Sequence, residues 1–92
     1  MRKIRAFYRT RDGAADYRFS FEERSDGTWR AYIEWQPSYR GRGTGERATH
    51  RLSDGGRKYV CWTNPLRSLD EAKSVAATWA DHTQKYIKTG KF

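Results

Sequence analysis

The chain has 92 residues, with 19 Lys and Arg against 11 Asp and Glu, a net charge of +8 and a sequence pI near 10. That length holds one domain with no room for a second, and an aromatic fraction of 15% argues against disorder despite 33% charged residues. No run nears the ~20 apolar residues of a membrane span, nothing resembles a signal peptide, and a lone Cys61 with two distant histidines excludes an internal disulfide and a zinc site of the usual spacing.

A single unpaired cysteine also fits a reducing, cytoplasmic setting. Thirteen of the basic residues are arginines. Residues 1–15 sum to +4 and residues 37–58 to +4, whereas 16–36 sum to −2. So uneven a field attracts polyanions, and the planar Arg fork matches phosphate and guanine edges better than a lysine ammonium does.

Residues 3–11 alternate, with Ile4, Ala6 and Tyr8 on one side and Lys3, Arg5, Phe7 and Arg9 on the other. Asp12-Gly13 follows, a strong hairpin signal. A two-residue loop there pairs Ile4 with Phe21, Ala6 with Phe19, Tyr8 with Tyr17 and Arg9 with Asp16. Strand 17–23 then turns Tyr17, Phe19 and Phe21 inward, and strand 28–36 carries Trp29, Ala31, Ile33 and Trp35 on one face. A two-residue Asp26-Gly27 loop would set these inward groups on opposite sides. A three-residue loop, Ser25-Asp26-Gly27 with Gly27 left-handed, aligns Phe21 with Ala31, Phe19 with Ile33 and Tyr17 with Trp35. It also pairs Glu22 with Arg30 and Arg18 with Glu34 on the outer face.

Pro37 ends the third strand, and the Arg/Gly-rich segment 37–47 is expected to be a flexible loop. Residues 47–53 and 57–63 flank Asp54-Gly55-Gly56 as an additional hairpin, with Val60 and Trp62 toward the core and Tyr59 and Cys61 opposite. Asn64-Pro65 breaks the sheet. Ser68-Leu69-Asp70-Glu71 is a capping box, Ser68 the N-cap and Glu71 returning the hydrogen bond. Leu69, Ala72, Val75, Ala76, Trp79, Thr83 and Tyr86 recur at helical spacing, and Gly90 suits the end of a helix of roughly 20 residues. The fold class is therefore α+β: a three-stranded antiparallel meander plus an extra hairpin, packed on one C-terminal helix that crosses the Trp29/Ile33/Trp35 face.

Covering one side of the meander leaves Lys3, Arg5, Phe7, Arg9, Arg18, Ser20, Glu22, Arg30, Tyr32 and Glu34 on the other. Arginines neutralise phosphates and release counterions, and rings such as Phe7 and Tyr32 stack on bases or pack against sugars. A solvated face needs Arg and Glu too, and Glu22 and Glu34 oppose phosphate. The candidate nucleic-acid contacts are Arg5, Phe7, Arg9, Arg18, Arg30 and Tyr32, with Arg40 and Arg42 from the loop.

Gly27-Thr28-Trp29-Arg30-Ala31-Tyr32, Ser68-Leu69-Asp70-Glu71-Ala72 and Trp79 together resemble the arm-type, AP2-like DNA-binding domain at the N-terminus of phage and transposon tyrosine recombinases. The resemblance covers about a quarter of the chain. It implies three strands and a helix, a sheet laid in the DNA major groove, and Arg30 and Tyr32 as contacts beside Arg18 and Arg5. The hairpin at 47–63 and the longer helix depart from that pattern, and no recombinase catalytic domain is expected within these 92 residues.

No catalytic constellation emerges. His50 and His82 lie far apart in sequence without an orienting partner, and Cys61 sits between Val60 and Trp62 as a packed thiol would. The expectation is a non-enzymatic protein without cofactor or metal whose partner is nucleic acid, DNA ahead of RNA. The alternative is a protein-interaction module for an acidic partner, anchored by exposed aromatics and arginines.

Overall fold

The alternating segments and the helical stripe fold as their patterns dictate. A computed structural model describes residues 1–92 and places β1 at Lys3–Arg9, β2 at Asp16–Glu23 and β3 at Trp29–Trp35. The short helix α1 (Glu46–Thr49), β4 (Arg51–Asp54), β5 (Arg57–Val60) and the long helix α2 (Leu69–Thr89) follow. The five strands form one antiparallel sheet in the order β1-β2-β3-β5-β4, an α+β fold. No helix is long and apolar enough to cross a membrane.

The β1–β2 register is the expected one, from Lys3 opposite Glu22 to Arg9 opposite Asp16. The connection differs. Thr10 N–H donates to Ala15 O at 3.0 Å and Gly13 N–H to Thr10 O at 2.8 Å, so the loop spans four residues, 11–14, instead of two. Lengthening it by one residue on each side preserves the pairing. The β2–β3 loop is the three-residue one, with Gly27 at φ 85° and Arg24 and Thr28 closing it. A β-bulge interrupts this ladder between Arg18 and Phe19. Phe19 still faces Ile33, but Arg18 faces Trp35, so neither the Tyr17–Trp35 nor the Arg18–Glu34 pairing forms.

Strand β4 is shorter than expected. Residues 46–49 make a helical turn, and His50 caps it in the left-handed region at φ 53°. Strand β5 stops at Val60, which is buried, while Trp62 lies beyond it and is 48% exposed rather than in the core.

The core is Tyr17, Phe19, Phe21, Trp29, Ala31, Val60 and Leu66 from the sheet side, met by Ala72, Val75, Ala76, Trp79 and Ala80 of α2. The helix covers β2 and the first half of β3, and leaves Trp35 outside. Ser68 accepts from Glu71 N–H at 3.1 Å, as an N-cap should. Glu71 reaches back to Arg67 N–H at 3.1 Å instead of the cap residue. Gly90 ends the helix at φ 78°, its N–H on Tyr86 O. Trp79 sets its ring edge-on to Tyr17 at 5.8 Å and Phe19 at 6.1 Å, and donates its indole N–H to Thr49 O at 3.0 Å.

Polar contacts fasten the β1–β2 loop to α2. Asp81 accepts from Tyr8 O–H at 2.8 Å and Arg11 N–H at 3.0 Å. Asp12 accepts from Lys88 at 2.5 Å, Thr10 at 2.6 Å and Ala14 N–H at 2.9 Å, and the Lys88 hydrogen bond above all holds its carboxyl well below the usual range. A depressed folded-state pKa contributes stability above the ordinary carboxylate value of about 4 and loses it as pH falls. Asp12→Asn should therefore flatten the acid limb of Tm against pH below about pH 4; an unchanged limb would show that the contact does not form in solution. In denaturant titrations, Trp79→Ala should cost roughly 3–5 kcal/mol, and Trp35→Ala under about 1 kcal/mol.

Candidate functional site

Opposite α2, the sheet's second face divides into a closed part and an open part. The closed part joins the two hairpins. Strands β3 and β5 share the single register pair Tyr32–Tyr59, so side chains complete the junction. Arg57 of β5 lies over the Tyr32 ring at 3.8 Å and grips Glu22 of β2 with both terminal nitrogens, at 3.1 and 2.6 Å. Arg30 of β3 lies over the Tyr59 ring at 4.1 Å and donates to Asp54 at 2.7 Å and to Tyr32 Oη at 3.0 Å. The Arg57 contact holds the Glu22 carboxyl below its usual range. Guanidinium stacking and charge-assisted hydrogen bonds act here together.

Tyr32 is consequently only 9% exposed, and Arg30 is committed to Asp54. Both were expected to meet a ligand. The structure gives them to the fold, because a strand distant in sequence lays Arg57 over what would otherwise be an open ring.

The open part spans the bulged end of β1, β2 and β3. Phe7 lies opposite Arg18, and Arg18 lies opposite Trp35, so the three form one row across the sheet. Phe7 is 70% and Trp35 49% exposed. The Arg18 guanidinium rests 5.4 Å from the Phe7 ring centre and has no carboxylate within ion-pair distance. Along the row's flanks, Arg5 pairs with Glu34 at 3.3 Å and Arg9 with Asp16 at 2.9 and 3.0 Å. These pairs are solvent-exposed and hold little energy, so their arginines can exchange partners. A groove of about 320 Å³ runs beside Phe7, lined by Arg5, Arg18 and Glu34.

Of the expected contacts, Arg5, Phe7, Arg9 and Arg18 thus share one surface. Trp35 joins them. Alternation assigned it to the core, and only the bulge, which carries no sequence signal here, turns it outward.

Arg42 belongs to the helix layer. Tyr39 is buried edge-on to Tyr86 at 5.8 Å, and Arg42 donates to Ile87 O at 3.4 Å and Lys88 O at 3.1 Å, satisfying carbonyls at the α2 terminus. The 37–47 segment, expected to be free, is docked. Arg40 is exposed, at φ 53°.

The largest cavity, about 500 Å³, brings together His50, Cys61, Trp62, Trp79, His82 and Phe92. Phe92 stacks on His50 at 4.1 Å and lies parallel to His82 at 5.6 Å. No carboxylate lines this space to orient either imidazole, and no group of three or more His, Cys, Asp or Glu is placed to hold a metal ion.

No protein-family model, curated protein or solved structure matches this chain.

Tyr32 and Phe7, both on this face, should respond very differently to truncation. Tyr32→Ala should cost about 3 kcal/mol by uncovering Arg57 and Glu22, against under about 0.5 kcal/mol for Phe7→Ala, both read by urea denaturation.

Proposed function

We propose that the protein binds nucleic acid, without catalysing a reaction on it, through the open end of the sheet's outer face. The row Phe7–Arg18–Trp35 carries this reading. Two large rings held in solvent on either side of an arginine without a carboxylate partner offer stacking surface and phosphate neutralisation within one row. The +8 charge supplies long-range attraction to the same class of ligand. The recombinase-domain resemblance favours DNA and the use of the sheet. Of the contacts it implies, Arg5 and Arg18 lie on the open part, where Arg9 joins them, whereas Tyr32 is covered and Arg30 is paired with Asp54.

A second reading rests on the same row, since Trp and Arg are also the residues that anchor protein interfaces. Salt dependence separates the two. Titration of labelled nucleic acid at several salt concentrations should give a log–log slope corresponding to roughly four or more phosphate contacts, and Arg18→Ala should lower that slope by about 1. Absence of binding at low salt would discard the nucleic-acid reading and favour an acidic protein partner.

A further inference from the structure

We infer that the outer-face row takes single-stranded nucleic acid, with one unstacked base on Phe7, another on Trp35, and the intervening phosphate backbone on Arg18. The inference rests on the nucleic-acid reading above and narrows it to a substrate class.

A duplex buries the faces of its bases against one another and presents only phosphates and groove edges. Exposed rings gain little from such a surface. Bases that are already unpaired can cover them fully, whatever their identity, because every base has a π-face. The dimensions of the row point the same way. Phe7 and Trp35 stand on strands separated by β2, two interstrand spacings or about 10 Å apart. A stacked strand rises about 3.4 Å per base, so neighbouring stacked bases cannot cover both rings. A strand with splayed bases can.

Arg18 is already positioned for this. Its guanidinium lies against Phe7, so the side chain is partly ordered before a phosphate arrives. Beside it, Arg5 and Glu34 place donors and an acceptor together at the groove next to Phe7, where a stacked base would present its hydrogen-bonding edge. The bulge completes the site. It takes Trp35 out of the pleat that would have turned it inward, as bulges do where a side chain is re-aimed.

The test uses the full chain with a labelled single-stranded DNA oligonucleotide, the same sequence as RNA, the corresponding duplex, and inorganic polyphosphate as a base-free competitor. At physiological salt the single strand should bind at least about tenfold more tightly than the duplex. Phe7→Ala and Trp35→Ala should each weaken it by roughly 5- to 100-fold, a larger loss than either causes for the duplex. Trp35→Phe should retain most of the affinity, and thermal unfolding checks that each variant is folded. The DNA and RNA arms determine which strand chemistry is preferred. Equal or tighter duplex binding, or folded ring variants that bind the single strand normally, would overturn the single-strand inference and leave nucleic-acid binding by charge intact. Equal competition by polyphosphate would do the same. Failure to bind any nucleic acid would remove both.

Discussion

Trp79 is the contact on which the domain depends. Its ring wedges edge-on between α2 and the aromatic pair Tyr17 and Phe19, and its indole nitrogen donates to the Thr49 carbonyl. One side chain therefore ties the helix to the centre of the sheet and to the turn that launches the second hairpin. Thr49 is itself fully buried, donating its hydroxyl to Gly45 O at 2.8 Å and accepting from Arg51 at 3.2 Å. In a chain with few aliphatic residues, large rings with polar handles do the work that leucines do elsewhere.

The same shortage of aliphatic side chains shapes the opposite face. The second hairpin is joined to the meander by one backbone register pair and by two arginines laid over two tyrosines, each ending on a carboxylate. Arginine here serves as packing material as well as charge. This closure covers the β2–β3–β5 side of the outer face and stops short of the bulge. What stays open is a small region in which Phe7, Arg18 and Trp35 line up, so the proposed interface is the part of the sheet that neither α2 nor the hairpin covers.

Much of the fold was legible because parity constrains it. Ile4, Ala6 and Tyr8 could face Phe21, Phe19 and Tyr17 in only one register, and the inward positions of β2 and β3 required three residues between them, which Gly27 permits. The candidate site was half legible. Alternation placed Arg5, Phe7, Arg9 and Arg18 on the outer face, but it reports which way a residue points and not what lies above it. Tyr32 points outward and is covered by Arg57, twenty-five positions further along. Trp35 was assigned inward, where α2 offers no cover, and the bulge reverses it. The Arg/Gly segment looked free by composition, yet Tyr39 against Tyr86 and Arg42 at the helix terminus dock it through contacts more than forty residues apart in sequence.

The most direct measurement is an NMR titration of the isotopically labelled protein with a short single-stranded oligonucleotide. The largest shifts should fall on the amides of Phe7, Arg18 and their cross-strand neighbours and on the Trp35 indole N–H, with Tyr32, Arg42 and the α2 amides unmoved. Shifts confined to Arg40, Arg47 and the helix layer, with the Phe7–Arg18–Trp35 row silent, would contradict it.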